Sequence, residues 1–329
     1  MEKNIGQLFV IGFPGDRPAS SFLDFIAEDN IGGVILFAEN CPTHQLTKQN
    51  VTLIRDKMGG SLPFIAVDQE GGRVCRIKSA PAEFHSAWDY GTRFGLDQFR
   101  EDYTRSMLLL KSLGISINLS PVCDIFLNEN NTCLKDRCFG TTAADVVPFI
   151  TAAVDIAHKA GLLCCLKHFP GLGAANIDPH DKLSLIDFDE ILFEQRELLP
   201  FAAGVDHGAD LVMTTHVKLR GLDDEMATHS EKLVNFFLRQ KLFFDGPVIT
   251  DDLLMKGADT LGHPGERAVA AFKAGHDLLL IGQDIEESVR AFDYFKDSFL
   301  RGEISKERVQ TSLDRIAGIK FKLGKSALL

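Results

Sequence analysis

Eight short runs rich in apolar residues recur along this chain, and a stretch with helical periodicity follows most of them. That alternation constrains the fold more than any other feature. The runs lie at 8–12, 33–37, 64–67, 115–119, 164–169, 211–214, 248–250 and 278–281. Strands that are apolar throughout, rather than at every second residue, are covered on both faces. Between them the pattern predicts helices at 43–58, 99–113, 144–160, 189–203, 230–241, 266–274 and 285–299. Ser230 is placed to N-cap the helix that presents Leu233, Phe236 and Phe237, and Gly161 stands where a C′ glycine ends a helix. At 305–323, Val309, Leu313, Ile316 and Ala317 share one stripe, which predicts a closing amphipathic helix. The repeated strand and helix predict a single α/β domain over 1–329, a (β/α)8 TIM-type barrel. An open doubly wound sheet is the alternative, but no G-x-G-x-x-G follows the first strand.

At 329 residues the chain suits one such barrel with inserted loops, and 45% hydrophobic content supplies its core. Lys plus Arg number 35 against 46 Asp plus Glu, a net charge of −11 with no basic block. Nucleic acid and anionic membrane are therefore poor partners. The N-terminus has Lys3 and then an apolar stretch broken by Gly6 and Gln7 and closed by Pro14, a poor secretory signal. No run of apolar residues is long enough for a transmembrane helix. The seven cysteines are odd in number, scattered, and lack the paired spacing of a zinc site. Reduced thiols in a cytoplasmic protein, with no metal and no cofactor, are the expectation.

Barrel enzymes build their sites at the C-terminal strand ends. Here the third strand runs into Asp68-Gln69-Glu70-Gly71-Gly72-Arg73, the fifth ends in Lys167-His168-Phe169-Pro170, the sixth in Thr214-Thr215-His216 and the seventh in Thr250-Asp251-Asp252. Taken singly, an Asp at a strand end is more often a helix cap, and a lone His a satisfied rim residue. Four strand ends that bring carboxylate, ammonium and imidazole to one rim are harder to explain without a ligand, because buried charges need partners.

The motifs resemble glycoside hydrolase family 3, in its single-domain β-N-acetylhexosaminidase (β-N-acetylglucosaminidase) branch. The landmarks span about 5–282: Gly6-Gln7-Leu8-Phe9 with Gly12-Phe13, AVDQEGGRV from Ala66, NLSPVCD from Asn118, and Asp136-Arg137-Cys138-Phe139-Gly140. KHFPG from Lys167, followed by Asp178 and His180, and VITDDLLMKG from Val248 are the most specific. The resemblance implies a barrel and retaining glycosidase chemistry on a small glycoside with a terminal N-acetylglucosamine. It makes Asp251 the nucleophile and His180, held by Asp178, the acid/base. It places Asp68, Arg76, Arg137, Lys167 and His168 in the sugar subsite, and leaves Asp252 structural.

These residue types suit that chemistry. A retaining glycosidase needs one carboxylate to attack the anomeric carbon and one group that donates and then removes a proton. Histidine already titrates near neutral pH. The chain departs from the family pattern at Leu172, where a second histidine is usual, at Pro179, where serine is usual, and at Lys135 and Cys138 beside Arg137.

Three rivals are weighed against this reading. Two-domain β-glucosidases of the same family draw a carboxylate acid/base from a second domain and show Ser-Asp-Trp at the nucleophile. A metal-dependent amidohydrolase would use Lys167, His168, His180, His216 and Asp251, yet no His-x-His occurs. A non-catalytic sugar-binding barrel would not need Asp251 with His180. For the acceptor, water is expected and phosphate is the alternative, since neutral His180 would not repel it as a carboxylate would. The family and the poor signal together imply turnover of wall-derived fragments in the cytoplasm.

Overall fold

A computed structural model describes residues 2–59, 62–175, 183–259 and 262–326. Eight parallel strands form one sheet: β1 (Phe9–Ile11), β2 (Gly33–Leu36), β3 (Phe64–Val67), β4 (Ile117–Asn118), β5 (Leu163–Phe169), β6 (Leu211–Thr214), β7 (Val248–Thr250) and β8 (Leu279–Ile281). The order is β7-β6-β5-β4-β3-β2-β1-β8, in which only β8 breaks the sequential run. Ile249 bridges Leu278 in parallel, and the Val248 carbonyl accepts the Asp277 and Leu278 N–H groups, so β8 also meets β7 and the ring closes. The chain is a (β/α)8 TIM-type barrel. Every residue of the eight strands is buried, the polar Asn118, Lys167 and His168 included, as expected of strands covered on both faces.

Helices Ser20–Glu28, His44–Met58, Gly95–Ser112, Ala143–Lys159, Pro264–Lys273 and Ile285–Leu300 cover the outer face. Thr43 and Thr142 cap two of them with side-chain acceptors. Ser230 Oγ accepts the Leu233 N–H at 3.0 Å ahead of helix Lys232–Lys241, and Gly161 follows helix Ala143–Lys159 at a φ of 74°. Leu233 and Phe237 are buried, while Phe236 packs edge-to-face on Phe237 and is 40% exposed.

Beyond two small additional sheets, Gln69–Gly71 with Val74–Cys75 and Ser184–Asp187 with Val217–Arg220, the helices depart from the pattern at two points. The helix expected over 189–203 is two, Glu190–Gln195 and Leu198–Asp206. Pro200 has no N–H for the Arg196 carbonyl, and its ring would clash there, so the chain breaks at Arg196 and restarts. Helix Ser20–Glu28 had no start signal, because its N-cap is Ala19 and makes no side-chain cap.

The C-terminal helix, Lys306–Ser326, lies across the N-terminal ends of the strands. Arg308 and Arg315 reach Asp277 ahead of β8, Lys322 reaches Asp210 ahead of β6, and Lys320 donates to Gln7 ahead of β1 and to the Gly32 carbonyl ahead of β2. The opposite, C-terminal rim is left to the loops.

Candidate active site

The loop leaving β3 is built on one amide. Asn118, the last residue of β4, accepts the Gln69 N–H and donates to the Gln69 carbonyl, both at 3.0 Å. The Gln69 side chain then holds the loop from within: its oxygen accepts the Arg76 and Ile77 N–H groups, and its nitrogen donates to the Ile77 and Ala82 carbonyls. The Gly-Gly pair that follows is a backbone requirement. Gly71 sits at a φ of 97°, and a Cβ there would stand 2.3 Å from the His85 carbonyl oxygen.

This scaffold brings Asp68, Glu70 and Arg76 to a rim cavity of about 460 Å³. Arg137, Lys167, His168, Asp251 and Asp252 line the same cavity, over a floor that includes Ile35, Leu119, Met213 and Leu280. Lys167 Nζ lies 2.6 Å from Asp68 Oδ1 and 2.5 Å from Glu70 Oε1. Arg137 grips Glu70 with two parallel bonds of 2.8 and 2.9 Å, and Arg76 reaches Asp68 at 3.3 Å. The cluster is strongly coupled. Burial alone would raise the Glu70 carboxyl, but Arg137 and Lys167 outweigh it and hold it well below the usual carboxylate range. Asp68 is lowered in the same way, against its burial, by Lys167 and Arg76. Lys167 is raised despite burial by Asp68 and Glu70. All these groups stay charged across neutral pH.

The proton on His168 follows from its neighbours. Arg137 Nη2 lies 3.0 Å from His168 Nε2, and a guanidinium only donates, so Nε2 is the acceptor. Nδ1 then carries the proton and donates to Asp124 Oδ2 at 2.6 Å. That N–H is already committed. Asp124 also accepts the His168 and Leu172 N–H groups, clamping the exit of β5. Leu172, where the family pattern has histidine, is buried in the core.

Asp251 follows β7, and its N–H donates to the Thr214 carbonyl of β6 at 2.8 Å. Its Oδ1 accepts the Asp252 N–H at 2.8 Å. Asp252 accepts the Leu254 and Gly282 N–H groups, while His216 Nε2 donates to its carbonyl. Asp178 and His180, with Pro179 between them, lie outside the described residues.

Six of the eight site residues inferred from sequence thus share one cavity. Glu70 and Asp124 were given no role there, although both stand in the quoted motifs. A signal for Glu70 was present: Arg76, Arg137 and Lys167 outnumber Asp68, and buried cations need further carboxylate. The amidohydrolase rival loses its ligands, because Lys167 and His168 are spent on these pairs. Among the described residues, His168, His216 and Asp251 do not converge as metal ligands.

Known proteins resemble the chain over most of its length. Residues 1–319 match the family model for the glycosyl hydrolase family 3 N-terminal domain. The chain is 31% identical over 336 aligned positions to beta-hexosaminidase A of Pseudoalteromonas piscicida, covering 92% of this chain and 55% of that protein. It is 30% identical to a beta-hexosaminidase of Xanthomonas axonopodis pv. citri, covering 83% of each. Among solved structures, the family 3 β-N-acetylglucosaminidase of a Paenibacillus species superposes with a TM-score of 0.95 at 30% identity, over 98% of this chain and 62% of that one. The β-N-acetylhexosaminidase of Beutenbergia cavernae gives 0.87 at 28% identity, over 97% and 98%. The chain therefore spans little more than half of the Pseudoalteromonas protein and under two thirds of the Paenibacillus enzyme.

Proposed function

The chain belongs to glycoside hydrolase family 3, and from that premise we propose that it is a retaining β-N-acetylglucosaminidase that hydrolyses terminal N-acetylglucosamine from β-glycosides. Relatives named beta-hexosaminidase and β-N-acetylglucosaminidase support the substrate class. The single observation that carries the reading is Asp251 facing the ion-paired cluster of Asp68, Arg76, Arg137 and Lys167, with His168, across one rim cavity.

In the first half-reaction an Asp251 carboxylate oxygen attacks the anomeric carbon. The C–O bond to the aglycone breaks, and the leaving oxygen takes a proton from His180. In the second, His180 removes a proton from water, which attacks the same carbon and releases Asp251, so two inversions return the β product. Asp178 orients His180 and stabilises its charged form. The engagement of both His168 ring nitrogens, with Asp124 and Arg137, supports giving the protonating role to His180 instead. The cluster groups, fixed in mutual pairs, present donors and carboxylate to the sugar hydroxyls and the acetamide at little reorganisation cost.

Water is the acceptor. Among the described residues the cavity lining carries four cationic side chains, Arg73, Arg76, Arg137 and Lys167, against four carboxylates, Asp68, Glu70, Asp251 and Asp252, a balance that favours water over phosphate. We place the reaction in the cytoplasm, on wall-derived fragments. The seven cysteines are all free and buried, as a reducing compartment favours.

The test is turnover of a chromogenic β-N-acetylglucosaminide against the matching glucoside, with the first-formed sugar followed by proton NMR. The β anomer before mutarotation, a strong preference for the acetamido sugar, and no sugar 1-phosphate in added phosphate are expected. An α product, or equal kcat/KM on the glucoside, would refute the reading.

A further inference from the structure

Three side chains with no shared motif converge at the N-terminal end of the barrel, away from the catalytic rim. His158 comes from the last turn of helix Ala143–Lys159, Cys164 is the second residue of β5, and Asp210 immediately precedes β6. His158 Nε2 lies 2.8 Å from Asp210 Oδ2, and Cys164 Sγ lies 3.8 Å from the same oxygen. The three ligand atoms all fall within 4.8 Å of one another, and among the described residues no other trio of His, Cys or carboxylate groups converges so closely. The cysteines lack the paired spacing that announces zinc, which is why the sequence pattern does not reveal this cluster: His158 and Asp210 are 52 positions apart.

We propose that His158 Nε2, Cys164 Sγ and the Asp210 carboxylate form a binding site for a zinc-like divalent cation, with water as the fourth ligand and a fastening rather than catalytic role. One imidazole, one thiolate and one carboxylate are all ligand types that zinc accepts. Ligands at zinc distances around a tetrahedral ion stand roughly 3.3–3.7 Å apart. The pair at 2.8 Å must open by about half an ångström or slightly more, the pair at 3.8 Å must close by a few tenths, and the His158–Cys164 pair, within 4.8 Å, closes by up to about an ångström. A cavity of about 220 Å³, lined by His158, Gly161, Leu162, Leu163, Asp210, Lys322 and Leu323, adjoins the cluster and leaves room for the water.

Charge also balances. Thiolate and carboxylate offset the two positive charges of the ion, and His158 binds as the neutral ring with its proton on Nδ1. Burial and then Asp210 hold the Cys164 thiol well above its ordinary pKa in the metal-free protein. Binding therefore forms a Zn–S bond, breaks the S–H bond and releases that proton to solvent.

Lys322 makes the proposal specific. Its ammonium lies 2.7 Å from Asp210 Oδ1, a partly exposed cation already resting on the carboxylate that the metal would use. An ion at the site competes with it, so Lys322 opposes metal binding. The site joins a helix end, two strand starts and the C-terminal helix. It lies three residues before Lys167 on β5, about 10 Å along the strand, and so is separate from the sugar cluster.

The experiment is titration of chelator-treated protein with Co²⁺, followed by displacement with Zn²⁺. One equivalent should bring thiolate-to-cobalt charge-transfer absorption and the ligand-field bands of a tetrahedral ion. Cys164→Ser should abolish the charge-transfer band. Lys322→Met should bind Co²⁺ about threefold to fivefold more tightly, the factor matching loss of a partly exposed ion pair. Thermal melting of each metal-free variant confirms that it folds. No saturable binding, a band that survives Cys164→Ser, or affinity unchanged or weakened in Lys322→Met would overturn the proposal.

Discussion

Replacing Glu70 with Gln removes one charge from the centre of the rim cluster while keeping its size and one acceptor. In the native protein Glu70 takes two bonds from Arg137 and a third from Lys167, and its side chain is only 3% exposed. The variant leaves Arg137 without its carboxylate and Lys167 with Asp68 alone. Removing one partner of a buried pair costs about 3–5 kcal/mol, and because Lys167 keeps Asp68 the lower figure, about 3 kcal/mol, applies. For 329 residues the unfolding entropy is about 0.7 kcal/mol per kelvin, so Tm should fall by about 4 °C. The pH dependence has a defined sign. Because the folded-state pKa of Glu70 is depressed, its contribution is fully present above its unfolded pKa, near 4.5, and is lost as pH falls below that. The stability gap between wild type and Glu70→Gln should therefore be constant from pH 7 to 5 and shrink on further acidification. Differential scanning calorimetry across that range, with kcat/KM measured in parallel, supplies the assay. The double variant Glu70→Gln/Arg137→Met, which removes the orphaned cation, should recover much of the stability and none of the activity. A Tm within 1 °C of wild type for Glu70→Gln, or a gap that widens at low pH, would refute the reasoning.

Two further outcomes follow from the same geometry. Asp124→Asn should release the tautomer of His168 and lower kcat/KM by about 10- to 100-fold, the equivalent of a charge-assisted hydrogen bond of about 1.5–3 kcal/mol; kinetics equal to wild type would show that His168 keeps its orientation without Asp124. All seven cysteines are buried, and burial pushes the Cys41 and Cys75 thiols up to about 11, so a thiol-specific chromogenic reagent should label none quickly in the native protein and all seven after denaturation; rapid native labelling would contradict the packing.

The barrel was legible because its strands are buried on both faces. Continuous apolar runs such as 64–67 and 211–214 coincide with the strands Phe64–Val67 and Leu211–Thr214, and polar residues at their C-terminal ends mark the rim. Periodicity was less able to show where a helix breaks, since the 189–203 stretch is apolar enough for one helix and only Pro200 records the interruption. It also missed helix Ser20–Glu28, which begins without a capping side chain. The site was legible through residue types at strand ends and through motif order. Its hidden part is the set of groups that act on other groups. Glu70 and Asp124 are buried carboxylates whose partners come from positions 67 and 44 residues away, and only the folded chain brings those partners together. The His158, Cys164 and Asp210 cluster was invisible for the same reason.

The central claim is that Asp251 becomes covalently bonded to the sugar. His180→Gln, supplied with the dinitrophenyl β-N-acetylglucosaminide, offers the most direct view. The activated leaving group needs little protonation, so Asp251 is glycosylated normally, while loss of the base slows attack by water and the ester accumulates. After an acid quench and proteolysis, mass spectrometry should find one N-acetylglucosamine residue on the peptide carrying Asp251, and none in Asp251→Ala, whose kcat should be lower than wild type by roughly 10⁴-fold or more. Sugar attached to any other residue, or Asp251→Ala turning over at a substantial fraction of the wild-type rate, would contradict the account.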